Sequence, residues 1–342
     1  MILALSNLKV WFLVLFLVAT GCERGATKNN IIEMTGFSMG TSYSIKIVKQ
    51  PKLSNSQSLQ KQINSLLSDI NQQMSTYLPE SEISQFNNSR NTQWFSISPR
   101  TFAVVSEALR ISKLSQGAFD ITLGGLVELW GFGRKEQKKI VPNEKILEQL
   151  LNNVGYYKLE LRSSTTAIRK TDSLSVIDLS AIAKGYAVDR VVEFLEGEGI
   201  ENFLVEVGGE IKTRGLKNKS KPWRVAIESP ISDQRSVYKV VAMTNMAMAT
   251  SGDYRNFFEI DGKRYSHTLD PKTGRPIKNE LASVTVLHNS CMTADALATA
   301  LMVLGPKIGF DLAQKHQIAA LFISRKNGKF EEKMTPQFSN LL

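Results

Sequence analysis

Asp295 and Thr299 are the two side chains whose spacing points most directly to chemistry. They lie four residues apart in "CMTADALATA" (291–300), and residues at i and i+4 share one face of a helix. A carboxylate and a hydroxyl presented together can hold a hard cation, because Mg²⁺ and Ca²⁺ prefer oxygen ligands. The alternative is local, with Thr293 capping the helix and Asp295 stabilising its positive end. Spacing alone leaves both interpretations open.

A lysine and a histidine are further candidates. "DLSAIAKGYAVD" (178–189) runs from a strand into a helix, and backbone N–H groups at such a junction point at anions. Lys184 could therefore reach a phosphate, or it could be a surface lysine while Asp178 caps the helix. His267 is one of three histidines and precedes "LDPKTG", which predicts a turn. It is either a side chain at the end of a hairpin or a working residue of a site.

Glycine-rich and aromatic segments could supply a site for a flat ligand. "QGAFDITLGGLVELWGFG" (116–133) sets Asp120 among apolar residues, and its glycines either turn the chain or let the backbone approach a ligand closely. Met39 of "GFSMGTSY" and Tyr77 of "MSTYLPESEISQFN" would suit stacking on an aromatic ring. Either could equally belong to the core.

The elements that must position these residues are helices and strands that are partly segregated along the chain. Apolar spacing predicts helices over 58–77, 99–117, 143–155 and 293–316, and a strand that enters a helix over 175–199. Strand-like alternation occupies 43–50 and most of 202–289, where "EIDGKRY" predicts a hairpin at Asp261-Gly262. We therefore expect an α+β fold with a mixed, largely antiparallel sheet and packed helices.

The N-terminus predicts export and lipidation. Lys9 and the apolar run "VWFLVLFLVAT" (10–20) indicate a signal peptide over 1–21, because the run is too short to span a membrane. "ATGC" (19–22) resembles a bacterial lipobox with Cys22 as the lipidated residue, and the alternative is an ordinary signal with an accidental cysteine. Residues 22–30 are then a polar tether, and 31–342 form the catalytic domain. Cys291 remains without a disulfide partner and is expected to be a small buried residue.

Charge and missing motifs exclude several classes. The formal net charge is +10, but the basic clusters at 134–139 and 212–224 read as solvated loops, with attraction to anionic lipid or a phosphate-bearing substrate as the alternative. No nucleic-acid-binding motif accompanies them. The chain also lacks G-x-G-x-x-G, Walker A, C-x-x-C and H-E-x-x-H sequences, which argues against Rossmann dehydrogenases, P-loop enzymes and zinc proteases.

Seven segments in order resemble the ApbE family of flavin transferases, the FAD:protein FMN transferases. They cover nearly all of the mature chain and are "MGTSYSI", "MSTYLPESEISQFN", "GAFDITLGGLVELWGFG", "DLSAIAKGYAVDRV", "VEVGGEI", "SHTLDPKTGRPI" and "CMTADALATALMVLG". The lipoprotein-like start also fits, because many members are exported lipoproteins.

The resemblance implies an α+β enzyme that binds FAD and a divalent cation, usually Mg²⁺. It implies transfer of FMN from FAD to a threonine hydroxyl of a target protein as a phosphoester, with release of AMP. The implied targets are subunits of membrane electron-transfer complexes, such as the sodium-pumping NADH:quinone oxidoreductase or Rnf-type complexes. The implied location is the bacterial cell envelope, where palmitate-type acylation of Cys22 anchors the protein, at the inner membrane facing the periplasm.

The resemblance also assigns residues. The FAD site would contain Met39, Tyr77, Ala118, Phe119, Asp120, Asp178, Lys184 and Leu269. The cation would be held by Asp295, Thr299 and the backbone carbonyl of Ala181. For the base that accepts the threonine proton we favour His267, since its ordinary pKa suits proton transfer near neutrality, with Asp270 as the alternative. His288 and His316 are expected to be structural.

Two other functions are compatible with the same residues. A metal-dependent FAD pyrophosphatase would use water in place of threonine and yield FMN and AMP. A non-catalytic flavin-binding lipoprotein would bind FAD and release no AMP.

Overall fold

The computed structural model describes residues 30–50, 55–134, 139–218, 220–231 and 235–342. The predicted signal segment 1–21, Cys22 and the tether up to residue 29 lie outside the described residues. Ile31–Leu342 form one unit by their internal contacts.

An eight-stranded sheet is the framework of this unit, and its strand order is β1-β2-β6-β7-β10-β15-β16-β17. Each neighbouring pair in it runs antiparallel. The described strands are β1 Ile31–Ser38, β2 Thr41–Val48, β3 Phe95–Ser96, β4 Leu159–Arg162, β5 Ala167–Lys170, β6 Phe203–Val207, β7 Glu210–Arg214, β8 Trp223–Glu228, β9 Val237–Met243, β10 Ala247–Gly252, β11 Phe257–Ile260, β12 Lys263–Ser266, β13 Leu269–Asp270, β14 Arg275–Pro276, β15 Leu281–His288, β16 Ala319–Lys326 and β17 Lys329–Met334.

The long helices α6 (Ala183–Gly197) and α7 (Cys291–Lys315) cover one face of the sheet. The described α-helices are α1 Ser56–Met74, α2 Glu82–Asn88, α3 Pro99–Leu114, α4 Gly124–Leu129, α5 Glu144–Leu151, α6 Ala183–Gly197, α7 Cys291–Lys315 and α8 Pro336–Ser339. Helix α7 packs on β10 and β15, and α6 packs between α7, β6 and β7. The prediction of an α+β fold with a largely antiparallel sheet is confirmed.

Both faces of the central strands are buried, because the β8–β9 hairpin and α8 cover the second face. Along β15, Val284 and Val286 enter the core beneath the helices, while Leu287 enters a smaller core with Val225 and Val241 of the hairpin. Strands that are buried on both faces have continuous apolar sequences, and this explains the run "LASVTVL". A third cluster around Trp130 and Phe258 supports the loops beside the cavity described below.

The hairpin predicted at Asp261-Gly262 is confirmed. Ile260 pairs with Lys263, and the two residues between them have φ of 50° and 70°. Positive φ at both central positions is the turn that matches strand twist, and Asp-Gly supplies it at low steric cost. This hairpin leads the chain to His267.

Sheet register separates two ends of the molecule. Ile31 pairs with Val48 where the described chain enters the sheet, whereas Ser38 and Thr41 pair at the opposite end of the same two strands. Val207 and Glu210 form the β6–β7 turn at that opposite end.

Helix α7 is the one helix of the described residues that is long and apolar enough to cross a membrane by length and composition, with a mean hydropathy of 1.4. More than half of the apolar stretch of this helix is buried within the protein. The helix is also broken at Gly305, whose φ is 80°, before Pro306. Helix α7 is a core helix of this unit, and a buried core helix can be as long and as apolar as a membrane-spanning helix.

Candidate active site

A cavity of about 400 Å³ lies among β7, β10, α7 and the segments that precede α4 and α6. It brings together most of the side chains that the sequence predicts for the site. These are Tyr77, Ala118, Phe119, Asp120, Asp178, Ala181, Lys184, His267, Leu269, Asp295 and Thr299.

An ion pair at the cavity wall depends on the two glycines of the β6–β7 turn. Gly208 and Gly209 have φ of 61° and 101°, values that favour glycine. A Cβ on Gly208 would lie 2.8 Å from Thr41 Cγ2 and 3.1 Å from Lys184 Cδ, so the glycine lets Lys184 lie against the turn. Lys184 Nζ then donates to Oε1 of Glu210, the residue after the glycines, at 2.7 Å.

Two buried carboxyls and one partly buried lysine share this wall. Glu210 and Asp295 are each 3% exposed, and Lys184 is their nearby cation. Burial raises the pKa of both carboxyls, while the Lys184 ammonium opposes the shift and favours their charged forms. Burial by itself would lower the pKa of Lys184, but the charges of Asp295 and Glu210 raise it above its ordinary value. Lys184 therefore stays protonated beside two carboxyls.

Close contact between α6 and α7 fixes Asp295. A Cβ on Gly185 would lie 2.4 Å from the Cys291 carbonyl oxygen and 2.8 Å from Asp295 Cβ, so only glycine allows the helices to approach this closely. The Gly185 N–H donates to Asp295 Oδ2 at 3.0 Å. Asp189, one turn further along α6, accepts the Cys291 and Met292 N–H groups at 3.0 Å and so satisfies the free donors at the start of α7.

The oxygen atoms near Asp295 fit a hard divalent cation. Asp295, Thr299 and Ala181 all line the cavity, and they supply a carboxylate, a hydroxyl and a backbone carbonyl, which are the ligand types that Mg²⁺ takes. The Thr299 hydroxyl is positioned by Ser251, whose Oγ lies 2.8 Å away. Among the described residues no three His, Cys, Asp or Glu side chains form a metal cluster, so a cation here needs further oxygens from substrate or water.

His267 is held by the loop before β11. Its Nδ1 lies 3.0 Å from the Asn256 carbonyl oxygen, and since a carbonyl only accepts, Nδ1 carries the proton and Nε2 keeps its lone pair. Burial lowers the pKa of His267, and the hydrogen bond to Asn256 opposes this shift. The ring is therefore neutral near pH 7 and has a free nitrogen that can accept a proton.

Asp120 organises the loop instead of presenting free oxygens. Its Oδ1 accepts the Thr122 N–H at 2.8 Å and the Thr122 hydroxyl at 2.6 Å, and Oδ2 accepts the Tyr156 N–H at 2.7 Å. Burial raises its pKa and these bonds oppose the shift. Asp120 thus shapes the Ala118–Asp120 wall that faces the cavity.

Aromatic side chains also line the cavity. Tyr77 is 58% exposed, so its ring is accessible for stacking, and its hydroxyl donates to the Phe132 carbonyl at 3.4 Å. Phe119 is buried, and the Phe132 ring meets His267 edge-on at 6.3 Å between centroids.

Four details differ from the sequence predictions. Met39 does not line the cavity; it takes the left-handed turn position after β1 with φ of 52° and packs on the core. Asp270 does not line it either, because its side chain accepts the Lys272 N–H at 2.9 Å and holds the turn. Ser290, not Thr293, caps α7. Asp178 does not cap α6, which begins at Ala183 without a side-chain cap.

Sequence reasoning missed Glu210, Ser251 and Asn256, which all line the cavity. For Glu210 a signal existed, because "VGGE" places two glycines between strand-like arms and so predicts a tight hairpin. Asn256 acts through its backbone, and side-chain type gives no signal for that.

Comparison with known proteins places the chain in a family. A sequence model of the ApbE family matches residues 39–322. The FAD:protein FMN transferase of Vibrio cholerae is 45% identical over 97% of this chain and 98% of its own length. The enzyme of the same name from Haemophilus influenzae is 39% identical over 92% of each chain.

Solved structures agree with this placement. The flavin transferase ApbE from Vibrio cholerae superimposes with a TM-score of 0.85 at 44% identity, covering 91% of this chain and 99% of the other. The Pseudomonas stutzeri flavinyl transferase ApbE gives 0.83 at 37% identity, covering 91% and 96%. With the same architecture and a family match over most of its length, the chain belongs to the ApbE family.

Proposed function

We propose that the protein transfers the FMN half of FAD to a threonine hydroxyl of a target protein, releases AMP and requires a divalent cation, Mg²⁺. Flavin transfer is the activity for which the relatives are named. The observation that carries the proposal for this chain is the cavity itself. It combines an oxygen set suited to a cation, a protonated lysine and a neutral histidine with a free nitrogen.

In the proposed reaction the threonine Oγ bonds to the phosphorus of the FMN half. The bond from that phosphorus to the oxygen of AMP breaks, and AMP leaves with both bonding electrons. His267 Nε2 accepts the hydroxyl proton, a contribution of about 10²- to 10⁴-fold when the base is well placed. Lys184 offsets negative charge on the pyrophosphate. Asp295, Thr299 and the Ala181 carbonyl would hold Mg²⁺, which neutralises phosphate charge when bound.

The test is incubation with FAD, Mg²⁺ and a threonine-containing target subunit, followed by mass spectrometry of the target and an AMP assay. We expect one AMP for each FMN bound to threonine. Free FMN and AMP without labelled target would instead establish the pyrophosphatase. Bound FAD without AMP would establish a carrier.

The proposed targets are exported or membrane subunits of electron-transfer complexes of the sodium-pumping NADH:quinone oxidoreductase or Rnf type. The proposed location is the outer leaflet of the inner membrane, with Cys22 acylated. The lipobox-like "ATGC" supports this proposal. Cys22→Ser should move the protein from the membrane fraction to the soluble fraction and abolish labelling by a palmitate analogue. Membrane retention of the variant would refute the anchor.

A further inference from the structure

Glu210 has an oxygen atom that nothing in the described structure explains. Its Oε1 accepts from Lys184 at 2.7 Å, whereas Oε2 is fully buried and has no hydrogen-bond partner. A buried carboxylate oxygen without a partner costs free energy, and a bound ion or water is one of the ways in which a native fold satisfies such an atom. Because Glu210 lines the cavity, that ligand would lie in the cavity.

The charges around Glu210 show which ligand suits it. Burial raises the pKa of Glu210 to about 8. In the state with both carboxyls ionised, Lys184 neutralises only one of Glu210 and Asp295, and the wall keeps one net negative charge. A negative wall attracts a divalent cation and repels a pyrophosphate. Lys184, the group best suited to bind phosphate, already has its ammonium in an ion pair.

We infer that Glu210 makes dinucleotide binding conditional on the divalent cation. Without the cation, ionised Glu210 holds the Lys184 ammonium in an ion pair and keeps the wall negative, so the pyrophosphate binds weakly. With the cation in the cavity, the wall becomes positive and the pyrophosphate of FAD binds with charge compensation. This inference rests on the proposed cation-dependent FAD site and assigns to Glu210 a positioning and coupling role that is separate from proton transfer.

Glu210→Gln tests this role because it keeps the size and an acceptor for Lys184 but removes the charge. Two equilibrium measurements on the full protein are needed at about pH 8.5, above the raised pKa of Glu210, and neither depends on turnover. The first is the affinity for Mn²⁺ alone, used as a spectroscopic substitute for Mg²⁺. The second is the affinity for FAD in EDTA and in saturating Mg²⁺, followed by flavin fluorescence.

The expected changes have opposite signs. Glu210→Gln should weaken Mn²⁺ binding and tighten FAD binding in EDTA, so that the factor by which Mg²⁺ tightens FAD falls at least about 10-fold, within the usual range for coupled sites. General damage to the cavity would weaken both ligands. Glu206→Gln is the matched control, because Glu206 Oε1 accepts the Gly209 N–H at 2.8 Å in the same turn but does not line the cavity.

An unchanged Mg²⁺ factor in Glu210→Gln, or equal weakening of both ligands, would overturn the inference. If wild type shows Mg²⁺ coupling and transfers FMN, either result refutes only the role of Glu210. If wild-type FAD affinity is independent of Mg²⁺, the proposed cation requirement fails and the inference fails with it. FMN transfer in the same preparation reports on the proposed function separately.

Discussion

The Asn87 side-chain amide pairs with both backbone hydrogen-bonding groups of one residue, Ile177. Asn87 Oδ1 accepts the Ile177 N–H at 2.7 Å, and its Nδ2 donates to the Ile177 carbonyl at 2.8 Å. Asp178, the next residue, donates its N–H to the Ile121 carbonyl at 2.8 Å. The end of α2 therefore fixes the segment that carries Asp178 against the loop around Ile121, and both line the cavity.

Asn87→Ala should weaken FAD binding while the protein stays folded. Loss of two hydrogen bonds to one buried segment costs about 1–3 kcal/mol for each group left unsatisfied, so a drop in melting temperature should accompany the lower affinity. The neighbouring Asn88 is exposed, and Asn88→Ala is the control in flavin fluorescence titration and thermal melts. Equal effects of the two substitutions would contradict the positioning role of Asn87.

His267→Ala should slow FMN transfer at least about 100-fold if Nε2 accepts the threonine proton. FAD affinity should change much less, since the base acts on the acceptor and not on the dinucleotide. Single-turnover transfer separates these two quantities. His288→Ala is the control, because His288 is exposed at the end of β15 and outside the cavity lining. A loss below 10-fold would move proton transfer to another group.

The pH dependence of transfer should show the lowered pKa of His267. The base works when neutral, and burial lowers the pKa from its ordinary 6.5, so the rate should stay level as pH falls to 6.5 and decline only below it. The measurement is the single-turnover rate between pH 5 and 8 at saturating FAD and Mg²⁺. An acid limb centred above pH 6.5, or one that persists in His267→Ala, would exclude this assignment.

Asp295→Asn should abolish Mg²⁺-dependent transfer and Mn²⁺ binding without unfolding the protein. Asparagine keeps an oxygen for the Gly185 N–H and removes a buried charge. Because burial raises the pKa of Asp295, the ionised form is disfavoured in the fold, and metal-free thermal stability should be unchanged or higher. Retained Mn²⁺ affinity would contradict the cation site, whereas a melting temperature well below that of wild type would show that Asp295 stabilises the metal-free fold.

Gly208→Ala should destabilise the protein by about 1–3 kcal/mol through backbone strain and should disturb Lys184 as well. The new Cβ would meet Thr41 and Lys184. Gly197, the last residue of α6, has open space around its Cβ position and no positive φ, so Gly197→Ala should stabilise by about 0.4–1 kcal/mol. Denaturant unfolding measures both changes, and FAD affinity should fall only in Gly208→Ala.

The sequence predicted the elements well where local rules decide them. Asp261-Gly262 supplied the two positive φ values of its turn, and apolar spacing located α1, observed at Ser56–Met74. It failed where a long-range contact decides. Asp178 looked like a helix cap because it follows an apolar segment, but its N–H pairs with Ile121, and the helix begins later at Ala183.

The sequence likewise predicted the part of the site that depends on local spacing and missed the part that depends on tertiary contacts. Spacing placed Asp295 and Thr299 on one face of α7, but only the tertiary packing shows that Glu210 of β7 lines the same cavity. Only the structure shows that the Asp270 carboxylate accepts a hydrogen bond within its own turn. No pattern in the sequence reveals that the Asn256 carbonyl selects the tautomer of His267. Contacts made by backbone atoms are invisible to residue type.

The separation of the two ends of the sheet has a consequence for where the enzyme can work. The described chain enters at the Ile31 end of β1, and Thr41 beside Gly208 and Lys184 marks the opposite end, about 26 Å away along a strand. With Cys22 acylated as proposed, residues 22–30 extend at most about 30 Å. The greatest distance between the bilayer surface and the cavity is then roughly 55 Å. Under the proposed anchor, threonines on short periplasmic loops of the proposed membrane partner, or on a domain close to its transmembrane helices, would lie within that distance, and more distant threonines would not.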